Sequence, residues 1–204
     1  MVYHIGGVMD IYNRQEKLEL DSDVSVTVVG CGGVGFWVCK MLAMSGIKKI
    51  RAYDPDVLED SNLNRIDVSY DFIGRNKADI TKFVVKNLRP ECDIKTFPYK
   101  LNDMHIMDTD WLVDCTDNME SQVENMKIAE ENRMKFMKVG YDGEHISIND
   151  KVATWGENDD GYRIVPSWVV PANIIASLAV AKIMKYNNKE ISTDLVDMYY
   201  ERGN

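Results

Sequence analysis

A chain of 204 residues with 45% apolar and 28% charged side chains has a globular composition and enough length to bury the core of one α/β domain. Its net charge of −9 argues against unassisted binding to a nucleic-acid backbone, and no apolar run reaches the roughly eighteen residues of a membrane span. The four cysteines, Cys31, Cys39, Cys92 and Cys115, show no C-x-x-C spacing, which argues against a thiolate zinc site. Cys39 and Cys92 read as small buried apolar side chains. The opening MVYHIGGVMDIYNRQ lacks a basic region followed by a long apolar stretch, so no secretory signal is read and cytoplasm is the expected compartment.

Residues 10 to 20, DIYNRQEKLEL, read as a short amphipathic helix or turn. The β-branched run VSVTVV then predicts a strand that ends in GCGGVG, with Gly30, Gly32 and Gly35 at G-x-G-x-x-G spacing before the helical FWVCKMLAMSG. A tight turn, a backbone that can approach a phosphate and an open helix N-terminus are what a bound nucleotide requires. A second strand, KKIRAY, leads to Asp54, roughly twenty residues on, where a carboxylate meets ribose hydroxyls. KADITKFVVKNL (77–88) predicts a helix with Ile80, Phe83, Val84 and Leu88 on its apolar face, stopped by Pro90. Strands are expected over 93–99, 111–115 and 134–140, and a helix over 119–132.

From residue 144 the pattern changes. EHISI and KVATW alternate on either side of Asn149-Asp150, which predicts a hairpin there, followed by a polar loop through residue 168. PANIIASLAVAKIMKY (171–186) predicts a buried helix opened by its proline, and LVDMYYER a last edge strand. The whole predicts an α/β fold: a Rossmann-like, mostly parallel sheet with helices on both faces and a C-terminal antiparallel hairpin or strand extension, residues 1–204 forming a single nucleotide-binding domain. Right-handed crossovers bring Gly30, Asp54 and Asp117 to one edge of that sheet.

Beyond Asp54 the sequence runs Asp54-Pro-Asp56, then Ser61-Asn62-Leu63-Asn64-Arg65. This resembles the D-x-D-x-V-x-x-S-N-L-x-R signature of the ThiF, MoeB and HesA adenylyltransferases of the ubiquitin-activating superfamily. Gly74-Arg75-Asn76-Lys77-Ala78, Asp114-Cys115-Thr116-Asp117-Asn118 and, upstream, Tyr12-Asn13-Arg14-Gln15 extend the likeness in the family's order, across roughly residues 11 to 187. The resemblance implies ATP-dependent activation of a carboxylate with Mg²⁺ and release of pyrophosphate. Its expected substrate is the C-terminal glycine of a small ubiquitin-like or sulfur-carrier protein. The nucleotide would meet Gly30, Gly32, Gly33, Gly35, Asp54, Asp56, Asn62, Arg65, Lys77, Asp117 and Asn118. Catalysis would rest on Arg65, Lys77 and Asp117, the last also holding Mg²⁺, and on Arg14 as a finger from the second subunit of a homodimer.

As ordinary surface chemistry the same residues read differently: Lys77 as a solvated helix charge, Asp117-Asn118 as an N-cap pair, Arg65 as an ion-pair partner of Asp67, Arg14 as a solvated charge. The chain also departs from the family. Ile66 stands where Gln is usual, Gln122 where Arg is common, the zinc cysteines are absent, and no cysteine follows Cys115. Two rival functions are an NAD-dependent oxidoreductase, which explains the glycines and Asp54 alone, and a non-catalytic subunit of a heterodimeric activating enzyme. Within the adenylating class a small carboxylate on a tRNA nucleoside is a further substrate, disfavoured by the acidic charge.

Overall fold

The β-branched run at Val26–Val29 becomes strand β1 at the centre of a sheet, and all four of its residues are buried. Successive side chains on a strand face opposite ways. Val26 and Val28 enter one core layer, and Val29 the other. The computed structural model describes residues 11–102, 108–152, 166–186, 191–194 and 197. In chain order, β1 is followed by helix α1 (Gly35–Met44), β2 (Lys49–Tyr53), α2 (Lys77–Leu88), β3 (Asp93–Phe97), β4 (Trp111–Asp114), α3 (Met119–Glu131), β5 (Lys135–Asp142), β6 (His145–Asn149), α4 (Val169–Met184) and β7 (Ile191–Asp194).

The sheet runs β3-β2-β1-β4-β5-β6-β7, with the first five strands parallel and the last two antiparallel. Side chains of α1, α2 and α4 pack into the core on one face, and Ile128 and Ala129 of α3 into the core on the other. Strand order reverses between β1 and β4, and in such sheets ligands sit outside the strand C-termini at that reversal. Register places the chemistry there. Val29 lies level with Tyr53 of β2 and with Asp114 of β4, so Gly30, Asp54 and Cys115 leave the sheet side by side.

The mostly parallel α/β sheet with helices on both faces and an antiparallel end is the fold the sequence predicts. Three details differ. The hairpin is not at Asn149-Asp150: β6 turns back on β5 through Gly143-Glu144, pairing Asp142 with His145, and Gly143 adopts φ +74°. Lys151 and Val152 are not in a strand, and 153–155 lie outside the described residues. Helix α4 starts at Val169, two residues before its proline. The apolar face of α2 is also rotated from the expected one. Ala78, Ile80, Thr81 and Val85 are buried, whereas Phe83 is 51% exposed. Thr81 is tolerated inside because its hydroxyl donates to the Lys77 carbonyl at 2.8 Å. The polar loop and the edge strand expected at 195–202 fall mainly outside the described residues; the edge strand present is Ile191–Asp194. All four cysteines are free thiols, Cys39 and Cys92 buried as expected.

Candidate active site

The glycine loop is built by contacts that exclude side chains. Gly30 takes φ +87°, its N–H donates to the Tyr53 carbonyl at 2.8 Å, and an added Cβ would stand 3.0 Å from the Cys115 carbonyl oxygen. A Cβ on Gly35 would fall 1.8 Å from the Gly30 carbonyl oxygen, so the loop folds onto its own helix. A Cβ on Gly32 would meet nothing within 4 Å, which leaves this stretch of backbone open to a ligand. Val34 precedes α1 without a side-chain cap, so the helix N-terminus keeps uncapped N–H donors for an anion.

Asp54 is buried, and both its oxygens accept backbone N–H groups: Oδ2 from Cys31 at 2.6 Å and Oδ1 from Asp56 at 2.8 Å. It thereby ties the end of β2 to the glycine loop. Burial pushes its carboxyl up from the usual range, against these two hydrogen bonds. Asp56 is the exposed member of the pair and meets Lys77 Nζ at 3.2 Å. Asn76 caps α2 by accepting from the Ala78 and Asp79 N–H groups, and its Nδ2 donates to the Asp54 and Asp56 carbonyls. One cap therefore places Lys77 beside the Asp54–Asp56 turn.

Asn62 is buried in a short turn, where it and Glu59 form a reciprocal capping box. Arg65 lays its stem on the glycine loop: a Cβ on Gly33 would be 2.7 Å from Arg65 Cδ. Its Nη1 donates to the Ser61 carbonyl at 2.7 Å and to Asn64 Oδ1 at 2.9 Å. Asp67 pairs instead with Lys40, at 2.5 Å. Ile66 has a packing role, buried with Phe36, Leu58 and Ile80.

At the end of β4 two aspartates have opposite surroundings. Asp114 is fully buried: Oδ1 accepts from the Thr116 N–H and hydroxyl, Oδ2 from Asn125 Nδ2 at 3.0 Å, and burial pushes its carboxyl up. Gln122, also buried, donates to the Thr116 carbonyl at 2.7 Å, which gives the departure at this position a structural role. Asn118 is the N-cap of α3, accepting from the Ser121 N–H. Asp117 takes no part in the cap. It stands exposed in the loop after β4, two residues beyond Cys115, whose carbonyl borders Gly30.

The structure thus brings Gly30, Gly32, Gly33, Gly35, Asp54, Asp56, Asn62, Arg65, Lys77, Asp117 and Asn118 to one edge, and leaves Arg14 away from it. Tyr12 donates to the Ala43 carbonyl and Gln15 Nε2 to the Ser45 carbonyl, which docks the 12–15 turn at the C-terminal end of α1. The glycine loop lies at the other end of that ten-residue helix, roughly 15 Å away. Two residues not singled out in the sequence join the edge. Tyr141, three residues beyond the β5 partner of Asp114, places its hydroxyl 3.0 Å from where a Gly33 Cβ would be. That hydroxyl shares a 2.6 Å hydrogen bond with Ser167.

A glycine loop, two acidic strand ends and two cations at a topological reversal are the arrangement in which α/β proteins of this class hold ligands. The chain belongs to the ThiF family, which residues 9–156 match. It is 27% identical over 208 residues to tRNA threonylcarbamoyladenosine dehydratase 2 of Saccharomyces cerevisiae, a match covering 93% of this chain and 45% of that protein. It is 27% identical over 182 residues to ubiquitin-like modifier-activating enzyme 5 of Xenopus laevis, covering 81% and 45%. The chain spans about half the length of these curated relatives. Among solved structures, Escherichia coli MccB with MccA shares the fold at a TM-score of 0.73 and 19% identity, covering 93% of this chain and 72% of that one. Among the described residues no helix is long and apolar enough to cross a membrane.

Proposed function

We propose that the protein is an ATP-dependent adenylyltransferase: a substrate carboxylate attacks the α-phosphate of ATP, forming an acyl-adenylate and releasing pyrophosphate. Support for this reading comes from Arg65 lying against Gly33, Lys77 standing beside the Asp54–Asp56 turn, and Asp117 following β4 on the same sheet edge. A dehydrogenase would use the loop and the acid after β2 but has no use for the other three. Attack at phosphorus concentrates negative charge, so such a site works by positioning and by supplying cations.

Each group in the chain then has a task. The open backbone at Gly32 and the uncapped start of α1 receive phosphate oxygens. Arg65 and Lys77 supply positive charge, and Lys77 exchanges its contact with Asp56 for the triphosphate. The Asp54–Asp56 turn lies where a ribose would sit, with Asp56 as the exposed carboxylate. Asp117 fits a Mg²⁺ site, because this ion is commonly held by one or two carboxylates with phosphate oxygens completing its shell. When bound, Mg²⁺ would neutralise phosphate charge.

The substrate class we favour is the C-terminal glycine of a small ubiquitin-like or sulfur-carrier protein, in keeping with the ubiquitin-like modifier-activating relative. The dehydratase relative favours a second reading, a small carboxylate on a tRNA nucleoside, which the net charge of −9 opposes. We place the protein in the cytoplasm as a homodimer, with residues 1–204 as one nucleotide-binding domain. Pyrophosphate exchange into ATP, run with glycine-terminated carrier proteins and separately with tRNA, tests the reading. Carboxylate-dependent exchange supports it; NAD binding without ATP binding would overturn it, and ATP binding without exchange would favour a non-catalytic subunit.

A further inference from the structure

Contacts around Gly33 close into a ring. A Cβ there would meet Arg65 Cδ at 2.7 Å and Tyr141 Oη at 3.0 Å. Arg65 donates to Asn64 Oδ1 at 2.9 Å, and Asn64 Nδ2 donates to the Ser167 carbonyl at 2.7 Å. The Ser167 hydroxyl returns to Tyr141 at 2.6 Å. A fourth hydrogen bond fixes the backbone of the same arginine: Trp37 Nε1 donates to the Arg65 carbonyl at 2.8 Å. Four segments distant in sequence, the glycine loop, the Asn64-Arg65 turn, β5 and the residues entering α4, therefore meet around one arginine.

We propose that Tyr141, oriented by Ser167, is a positioning residue for Arg65. An arginine side chain loses substantial rotamer freedom when fixed, and a site that acts by placing cations works better when that freedom is lost before the ligand arrives. Gly33 supplies the floor for the arginine stem. Tyr141 closes one side of that floor, and the guanidinium is held at the Ser61 carbonyl and Asn64 Oδ1. The 2.6 Å bond to Ser167 holds the tyrosine hydroxyl at this wall, so the reach of Arg65 depends on how the start of α4 is docked. Tyr141 acts through Arg65 and does not itself contact the nucleotide. The proposal rests on the reading of Arg65 as a phosphate-binding cation.

The test is a double-mutant cycle with the full chain, measured by ATP titration in the presence of Mg²⁺, with thermal melting to confirm folding. Tyr141→Phe keeps the ring and should weaken ATP binding about five-fold, the effect of one hydrogen bond; Ser167→Ala should do the same. On an Arg65→Ala background, Tyr141→Phe should change affinity less than about two-fold, because its intermediary is gone. A ligand-free readout runs beside it. The Trp37 indole N–H resonance should shift and exchange faster in Tyr141→Phe than in the wild type. Equal weakening in both backgrounds, or no weakening by Tyr141→Phe in the wild-type background, overturns the proposal. If the wild-type chain binds no ATP while the Trp37 signal still responds, the nucleotide reading falls and the coupling of Tyr141 to Arg65 stands. If neither responds, both fall.

Discussion

Gly35 and Gly30 are in contact through backbone alone: a side chain on Gly35 would place its Cβ 1.8 Å from the Gly30 carbonyl oxygen. At Gly33 the obstructing atoms belong instead to the side chains of Arg65 and Tyr141. Both substitutions add one methyl group, but only one meets immovable backbone. Gly35→Ala should open the turn between β1 and α1, lowering the melting temperature and abolishing nucleotide binding together. Gly33→Ala should leave melting nearly unchanged while displacing Arg65, weakening ATP binding about ten-fold. Equal melting temperatures for the two variants would contradict this distinction.

Asp117 and Asp114 should separate function from stability. Asp117 is exposed and outside the cap of α3, so Asp117→Asn should fold and melt as the wild type does. Its pyrophosphate exchange should fall on the order of a hundredfold or more, if this carboxylate holds Mg²⁺. Near-normal exchange would remove Asp117 from the mechanism.

Asp114→Asn addresses pH. Burial raises the Asp114 carboxyl above its unfolded value, so its favourable contribution is complete below about pH 4 and is lost as pH rises through the folded value. Once ionised, the buried carboxylate therefore opposes folding. An asparagine keeps an acceptor for Thr116, and a rotated Asn125 amide can meet its NH₂. The variant should melt higher than the wild type where Asp114 is ionised and lose much of the decline in stability as pH rises above about 4. Asp54, raised for the same reason, retains its share of that slope. Asp110 has the opposite sign: hydrogen bonds from Ser25 lower its carboxyl, so its contribution is lost only as pH falls below about 4. A lower melting temperature for Asp114→Asn across the whole pH range would show that its hydrogen bonds outweigh its desolvation.

What could be read from the sequence divides along physical lines. The β1–α1 unit was legible because its turn depends on backbone space that only glycine leaves, and glycine spacing is visible in one dimension. The hairpin was misplaced because alternation continues past Asn149-Asp150; the stronger turn signal was Asp142-Gly143, where glycine supplies the positive φ. Asp114 and Asp117 look alike in the sequence, and only burial separates the loop-building acid from the exposed one. Gln122 read as a departure from a family pattern, while its bond to the Thr116 carbonyl could not be read at all. Tyr141 and Ser167 carried no signal, because they stand 26 residues apart and meet only through folding.

Arg14 supplies the last prediction. Within its own chain, the Tyr12–Gln15 turn is anchored at the C-terminal end of α1, a helix length from Gly30. With the turn that carries it anchored a helix length of roughly 15 Å from the glycine loop, a catalytic Arg14 is expected to serve the site of a second copy. The expected assembly is a twofold dimer in which each Arg14 completes the partner's site. Arg14→Ala and Asp117→Ala should each be inactive alone. Mixed and allowed to exchange subunits, they form heterodimers in which one site retains both Asp117 and the neighbour's Arg14, while the other lacks both. Random pairing should then restore about a quarter of wild-type exchange per total site. Sedimentation or native mass spectrometry would establish that heterodimers had formed. Verified heterodimers without recovered activity would show that Arg14 does not act between subunits.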